Sequence, residues 1–279
     1  MRIETLPLLA AIAPLRALTD LGRAACPVGG DTSILANTGT PVGTTEVHNN
    51  ITLYITRPPL NSSASTSISV HPNTAILYLT DVFGLALPEN LLLADSFARA
   101  GYLTVAPDLF SGSPAPGDIN VPGFNTTLFL SQHQPNVTDP IIASTISYIR
   151  SSLNVTRIGA VGYCFGGKYA FRFLDGTVPP QERVDAAFTA HPSLLENEEI
   201  LGIQGPVSVA AAENDDMMPP ERRAEIEALL KQTGREYMVS LYSGTNHGFA
   251  VRADVTDREQ RFAKEGAFLQ AVRWFGEFL

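Results

Sequence analysis

Arg157-Ile158-Gly159-Ala160-Val161-Gly162 runs directly into Tyr163-Cys164-Phe165-Gly166-Gly167-Lys168, and this passage decides the fold. Residues 157–162 read as a strand buried in a sheet, and residues 165–174 read as a helix. Between them a cysteine stands with a glycine two residues to either side. A tight strand-to-helix turn strains the backbone of its central residue, and side chains at the flanking positions would collide with neighbouring backbone. Such a turn raises one reactive side chain above the end of a sheet. The helix starting beneath Cys164 adds partial positive charge that favours a thiolate, the reactive form of cysteine. The plainer reading, a structural cysteine in a glycine-rich turn, weakens once partner residues are found downstream.

The same alternation extends in both directions. Residues 51–56 alternate apolar and polar, as an edge strand does, and residues 61–69 form a Ser/Thr-rich loop. Residues 75–79 (AILYL) are a continuous apolar run, the mark of a strand buried on both faces. Pro88 opens a helix over residues 89–100, stopped by Gly101. Further strands are expected at 103–106, 186–190, 207–211 and 237–242. Helices are expected at 140–153, 220–231 and 257–278. Strand–helix alternation of this kind specifies an α/β fold, a mostly parallel central sheet with helices on both faces. No repeat or composition shift marks a second domain, so residues 26–279 are expected to form one.

Of 279 residues, 44% are hydrophobic and 17% charged, which suits a compact core. The net charge of −9 and pI near 5.0 make nucleic acid and anionic lipid poor partners. No apolar run is long enough to span a bilayer. No His/Cys/Asp cluster has metal-ligand spacing. Gly166-Gly167-Lys168 lacks the preceding glycine of a phosphate loop. Neither a metal nor a cofactor is therefore expected.

The turn around Cys164 is the one that α/β-hydrolases use, and there the acid and then the histidine follow the nucleophile along the chain. Only His191 and His247 lie downstream of Cys164. His247 sits in the polar stretch Thr245-Asn246-His247-Gly248-Phe249, between the last expected strand and the last helix, and reads as the base. His191, before Pro192 at a strand end, reads either as a pocket-lining residue or as a hydrogen-bonded structural histidine. His48, His71 and His133 fall in polar segments and are expected at the surface. The acid should follow residues 207–211, where Glu213-Asn214-Asp215-Asp216 stands, and spacing alone leaves Asp215 and Asp216 equal. A neutral imidazole would accept the thiol proton near pH 7, with a buried carboxylate fixing its tautomer.

With these positions found, the chain from about residue 40 onward resembles the dienelactone hydrolase family, and its fungal branch in particular. The resemblance rests on Gly162-Tyr163-Cys164-Phe165-Gly166-Gly167, on Pro107-Asp108-Leu109-Phe110, on Glu213-Asn214-Asp215 with Pro219, and on His247-Gly248-Phe249-Ala250. It implies an α/β-hydrolase fold and cleavage of a small ester or lactone through a Cys-His-Asp triad and an acyl-thioester. The family's Asp–Pro spacing selects Asp215. An oxyanion hole from the backbone N–H groups of Val82 and Phe165 is also implied, each donor worth about 3 kcal/mol to the tetrahedral intermediate.

Three departures touch the substrate. Asp81 stands where the founding enzyme has a glutamate against the resting thiol, and it reads either as a carboxylate tuning the thiol or as a cap of the following loop. Ser111-Gly112-Ser113 replaces an expected arginine. A second arginine appears as Arg252, one place later than in that enzyme. Those arginines clamp the carboxylate of dienelactone, and losing one removes about 1.5–3 kcal/mol. The expected substrate is thus less acidic, or larger. Two other activities share the same residues: acyl transfer or isomerisation without hydrolysis, and ligand binding without turnover. A complete triad argues against the last.

Residues 1–25 read as a secretory signal or an N-terminal arm. Residues 6–13 are apolar after Arg2, but Glu4, Pro7, Pro14 and Arg16 break the pattern. Asn-x-Ser/Thr sequons at Asn50, Asn61, Asn125, Asn136 and Asn154 point towards secretion. The two cysteines, Cys26 and Cys164, provide no disulfide framework if Cys164 is to act as a free thiol.

Overall fold

The computed structural model describes residues 34–59 and 71–279. The expected signal or arm, Cys26, Asn61 and the loop at 61–69 lie outside the described residues. Eight strands are present: β1 (Thr44–His48), β2 (Ile51–Thr56), β3 (Thr74–Leu79), β4 (Leu103–Pro107), β5 (Arg157–Tyr163), β6 (Ala186–Ala190), β7 (Val207–Asn214) and β8 (Tyr237–Asn246). They form one sheet in the order β1-β2-β4-β3-β5-β6-β7-β8. From β4 to β8 all neighbours are parallel; β1 and β2 join antiparallel at one edge.

The helices are α1 (Pro88–Arg99), α2 (Thr126–Gln132), α3 (Pro135–Ser152), α4 (Phe165–Arg172), α5 (Asn197–Leu201), α6 (Pro220–Thr233), α7 (Phe249–Arg252) and α8 (Arg258–Phe278). β3 shows how the sheet divides the interior. Ala75, Leu77 and Leu79 enter one core with Ile142, Ile146 and Ile149 of α3 and Phe171 of α4. Ile76 and Tyr78, on the opposite face by the two-residue period of a strand, enter a second core with Phe97 of α1 and Phe268 and Phe275 of α8. Both faces are covered, so β3 has no solvent side, and this accounts for its unbroken apolar sequence. A fully buried Phe such as Phe97 or Phe275 contributes about 2–3 kcal/mol. The expected α/β architecture is the observed one.

Several boundaries differ for identifiable reasons. Residues 51–56 are not the edge, because β1 lies outside them. The two strands are joined by Asn49-Asn50, both left-handed (φ +49° and +62°), a two-residue hairpin turn that asparagine tolerates. Helix α3 starts at Pro135, not at 140: Pro135 takes the first helical position, which suits proline, and Pro140 is absorbed inside. β7 and β8 run past 211 and 242 through a bulge to pair Asn214 with Asn246. Their extensions are polar, so hydropathy alone ends them early. Asn50, Asn125, Asn136 and Asn154 are all exposed. No described helix is long and apolar enough to cross a membrane.

Candidate active site

Strand order reverses around β3, which has β4 on one side and β5 on the other. Loops leaving the carboxyl ends of β3 and β5 therefore diverge and open a crevice. Cys164 stands there as the residue between β5 and α4, with φ +51° and ψ −113°. That conformation is strained for a residue bearing a Cβ, and its surroundings hold it. A Cβ on Gly162 would lie 2.4 Å from the Gly166 carbonyl oxygen, and one on Gly166 would lie 2.2 Å from that of Leu79. Both glycines are demanded by contact. Cys164 N donates to Ala190 O at 3.2 Å, and its carbonyl accepts from Ser193 N at 3.0 Å.

His247 and Asp215 meet because each lies one residue beyond the paired Asn246 and Asn214 on neighbouring strands. His247 Nδ1 is 2.9 Å from both Asp215 carboxylate oxygens, and the Asp215 side chain is wholly buried. Met217 N also donates to Asp215 Oδ1 at 2.9 Å, fixing the carboxylate. Asp216, equal to it in sequence, is exposed. Burial disfavours a charged imidazole, but Asp215 and the Cys164 sulfur outweigh it and push His247 up from 6.5 to about 10. The sulfur contributes by attraction only when it carries negative charge. His247 Nε2 is buried and makes no hydrogen bond among the described residues. Asp215 and a charged sulfur thus favour the imidazolium, the form His247 takes once it holds the thiol proton.

The crevice is a cavity of about 330 Å³. Val82, Phe83, Cys164, Phe165, His247 and Arg252 form part of its wall, and residues between 115 and 130, Phe124, Phe129 and Leu130 among them, supply much of the rest. The backbone N–H groups of Val82 and Phe165 make no hydrogen bond among the described residues, whereas the next donors, Gly166 N and Gly167 N, bond to Thr80 O and Cys164 O. The matching sequence model covers residues 62–279 and is that of the dienelactone hydrolase family.

The chain belongs to the dienelactone hydrolase family.

It is 41% identical over 262 residues to hydrolase pyvD of Aspergillus violaceofuscus, covering 94% of this chain and 99% of that protein. It is 38% identical over 250 residues to hydrolase tropI of Talaromyces stipitatus, covering 87% and 93%. A putative dienelactone hydrolase from Klebsiella pneumoniae has the same fold, with a TM-score of 0.62 at 17% identity over 82% of this chain and 93% of that one. So does the propionate-bound esterase Est2 of Thermogutta terrifontis, with a TM-score of 0.61 at 17% identity over 85% and 94%. As a member of the dienelactone hydrolase family, the chain is a carboxylic ester and lactone hydrolase.

The positions at which this family member departs from the founding pattern are placed as follows. Asp81 is buried, and its Oδ1 accepts from Phe83 N at 3.2 Å and Asn90 Nδ2 at 2.9 Å. Its Oδ2 has no hydrogen bond of acceptable geometry, yet Arg252 Nε lies 3.4 Å away as an ion pair. Burial raises the Asp81 carboxyl above its usual range, against the pull of Asn90 and Arg252. No hydrogen bond joins Asp81 to Cys164 among the described residues. Arg252 stacks over the Phe83 ring at 4.8 Å. Ser111-Gly112-Ser113 does not line the cavity.

His191 fits neither sequence reading. It is fully buried, does not line the cavity, and neither ring nitrogen has a hydrogen-bond partner among the described residues. Its ring sits edge-on to His247 with centroids 4.9 Å apart. Burial, then the proximity of His247 and Arg252, hold it well below the usual histidine value, so it is neutral. His48, His71 and His133 are half-buried, less exposed than the sequence suggested. The residue missed by sequence reasoning is Ser193, whose Oγ is 3.1 Å from Cys164 Sγ.

Proposed function

We propose that the chain cleaves a small ester or lactone by covalent catalysis at Cys164. The Cys164 S–H bond breaks and its proton passes to His247 Nε2. The thiolate then bonds to the substrate carbonyl carbon while the π pair moves to oxygen. Val82 N–H and Phe165 N–H, both free of other partners among the described residues, receive that oxyanion. Collapse breaks the C–O bond to the leaving alcohol, which takes the proton from His247 and leaves an acyl-thioester. A water, deprotonated by His247, attacks the thioester and returns the free thiol. Asp215 holds Nδ1–H throughout, so Nε2 is the atom turned to the sulfur. Arg252, already held by Asp81, is the cation against the cavity that meets negative charge on a substrate. Mostly apolar walls favour an apolar acyl or alcohol portion.

One observation carries this reading: His247 Nδ1 is centred on a buried carboxylate while Nε2, beside a strained cysteine, makes no hydrogen bond among the described residues. Turnover of short-chain chromogenic esters tests it. Cys164→Ala should fold normally and lose activity by ~10⁴-fold or more. Activity within about tenfold of wild type would remove Cys164 as the nucleophile. From the sequons and the N-terminal pattern we further propose that the protein is secreted and glycosylated.

A further inference from the structure

Ser193 Oγ, 3.1 Å from Cys164 Sγ, makes no other side-chain hydrogen bond among the described residues. The turn carrying it is fixed at several points. Ser193 N donates to Cys164 O, and Cys164 N donates to Ala190 O. His191 and Leu194, on either side, both have left-handed backbones, at φ +40° and +57°. Pro192 packs so closely on Gly167 that a Cβ there would lie 2.8 Å from its own Cβ. Ser193 is only 4% exposed, yet it lines the cavity. A hydroxyl is thereby held against the sulfur, with the sulfur as its only side-chain partner among the described residues. His247 Nε2, by contrast, makes no hydrogen bond in this arrangement.

We propose that Ser193 holds the Cys164 thiolate, its O–H donating to Sγ, so that the nucleophile rests between this hydroxyl and the His247 ring. When the S–H bond breaks, the proton goes to His247; serine keeps its own proton and turns it to the sulfur. As the S–C bond forms, charge leaves the sulfur and the serine hydrogen bond weakens. Ser193 thus sets how much thiolate is present and how reactive it is. The proposal rests on Cys164 being the nucleophile, but titration of the sulfur reads Ser193 whether or not an ester is turned over. The other charged and titratable groups around the sulfur are His247, Arg252, Asp81 and Asp118, with Asp215 and His191 behind His247. All remain in a Ser193→Ala variant.

The test is the pH profile of iodoacetamide alkylation of Cys164 in the full chain, with the modified site mapped by mass spectrometry. Thiolate ultraviolet absorbance, as a difference against Cys164→Ala, gives a second readout. Loss of a hydrogen bond to a charged acceptor should raise the midpoint by about one pH unit in Ser193→Ala. A more basic thiolate is also the better nucleophile, with a Brønsted slope of about 0.4–0.5. Ser193→Ala should therefore react ~3-fold more slowly than wild type below the midpoint and ~3-fold faster above it. Ser193→Thr, which keeps the hydroxyl, should restore the wild-type midpoint. An unchanged midpoint, or slowing at every pH, would leave Ser193 as packing only. A lowered midpoint would mean that the thiol donates to serine, and the proposal would be overturned. Ser193→Gly serves the same comparison if Ser193→Ala fails to fold.

Discussion

Asp215→Asn separates the electrostatic role of this carboxylate from its role as a turn former. Asparagine keeps an oxygen for Met217 N but sets either an oxygen without charge or an NH₂ group against His247 Nδ1. Moving imidazole from 6.5 to about 10 is a preference for the charged form of about 5 kcal/mol, at about 1.4 kcal/mol per pH unit. Asp215 and the Cys164 sulfur share it, so about 2–3 kcal/mol belongs to Asp215. Because the folded value is raised, this stability is fully present below pH 6.5 and is lost as pH climbs through about 10. Thermal unfolding followed by circular dichroism should show Asp215→Asn melting ~6 °C below wild type near pH 6, with the gap closing towards pH 10. Ester hydrolysis should fall ~10⁴-fold, because an NH₂ facing Nδ1 selects the tautomer whose Nε2 already carries hydrogen. A melting difference that is constant with pH, or one that widens as pH rises, would refute the ion-pair reasoning.

Arg252→Ala leaves the Asp81 carboxylate buried without its cation and should cost about 3 kcal/mol in denaturant unfolding, recovered largely in the Asp81→Asn, Arg252→Ala double variant. Material from the native host should shift in mass on endoglycosidase treatment, with sugar at one or more of the exposed Asn50, Asn125, Asn136 and Asn154; unmodified asparagines throughout would remove the case for secretion.

How much was legible in the sequence follows the range of the forces involved. The elbow was legible because its cause is local: Gly162 and Gly166 lie two residues from Cys164, and the collisions that exclude a Cβ involve Gly166 itself and Leu79. The buried strand β3 was legible because two covered faces leave no polar position. The pairing of Asp215 with His247 was legible only as chain order. The register that joins them, Asn214 against Asn246 beyond a bulge, lies in polar sequence that hydropathy does not mark. Ser193 carried no signal, since one serine past a strand becomes the neighbour of Cys164 only through the left-handed turn at His191. β1 (TTEVH) is almost wholly exposed and so has no apolar alternation, although the Asn49-Asn50 pair was a usable hairpin cue. How strongly His247 holds a proton was not legible, because it depends on how a buried carboxylate, a charged sulfur and a burial cost add, which spacing does not contain.

The division of the cavity wall has a consequence for how such a protein diversifies. Phe124, Phe129 and Leu130 come from the single crossover between β4 and α3, whereas Cys164, Ser193, Asp215 and His247 come from the ends of β5 to β8. That crossover is moored at its start by Ala115 N on Val82 O at 2.9 Å and by the Phe110 ring against Phe165, 5.3 Å between centroids. We predict that it is exchangeable as a unit. An exchange that keeps Phe110, Ala115 and the start of α3 should transplant one relative's substrate preference onto another's reactive groups. Lineages sharing this scaffold would then acquire new substrates by rewriting one loop while the residues at the ends of β5 to β8 are inherited unchanged.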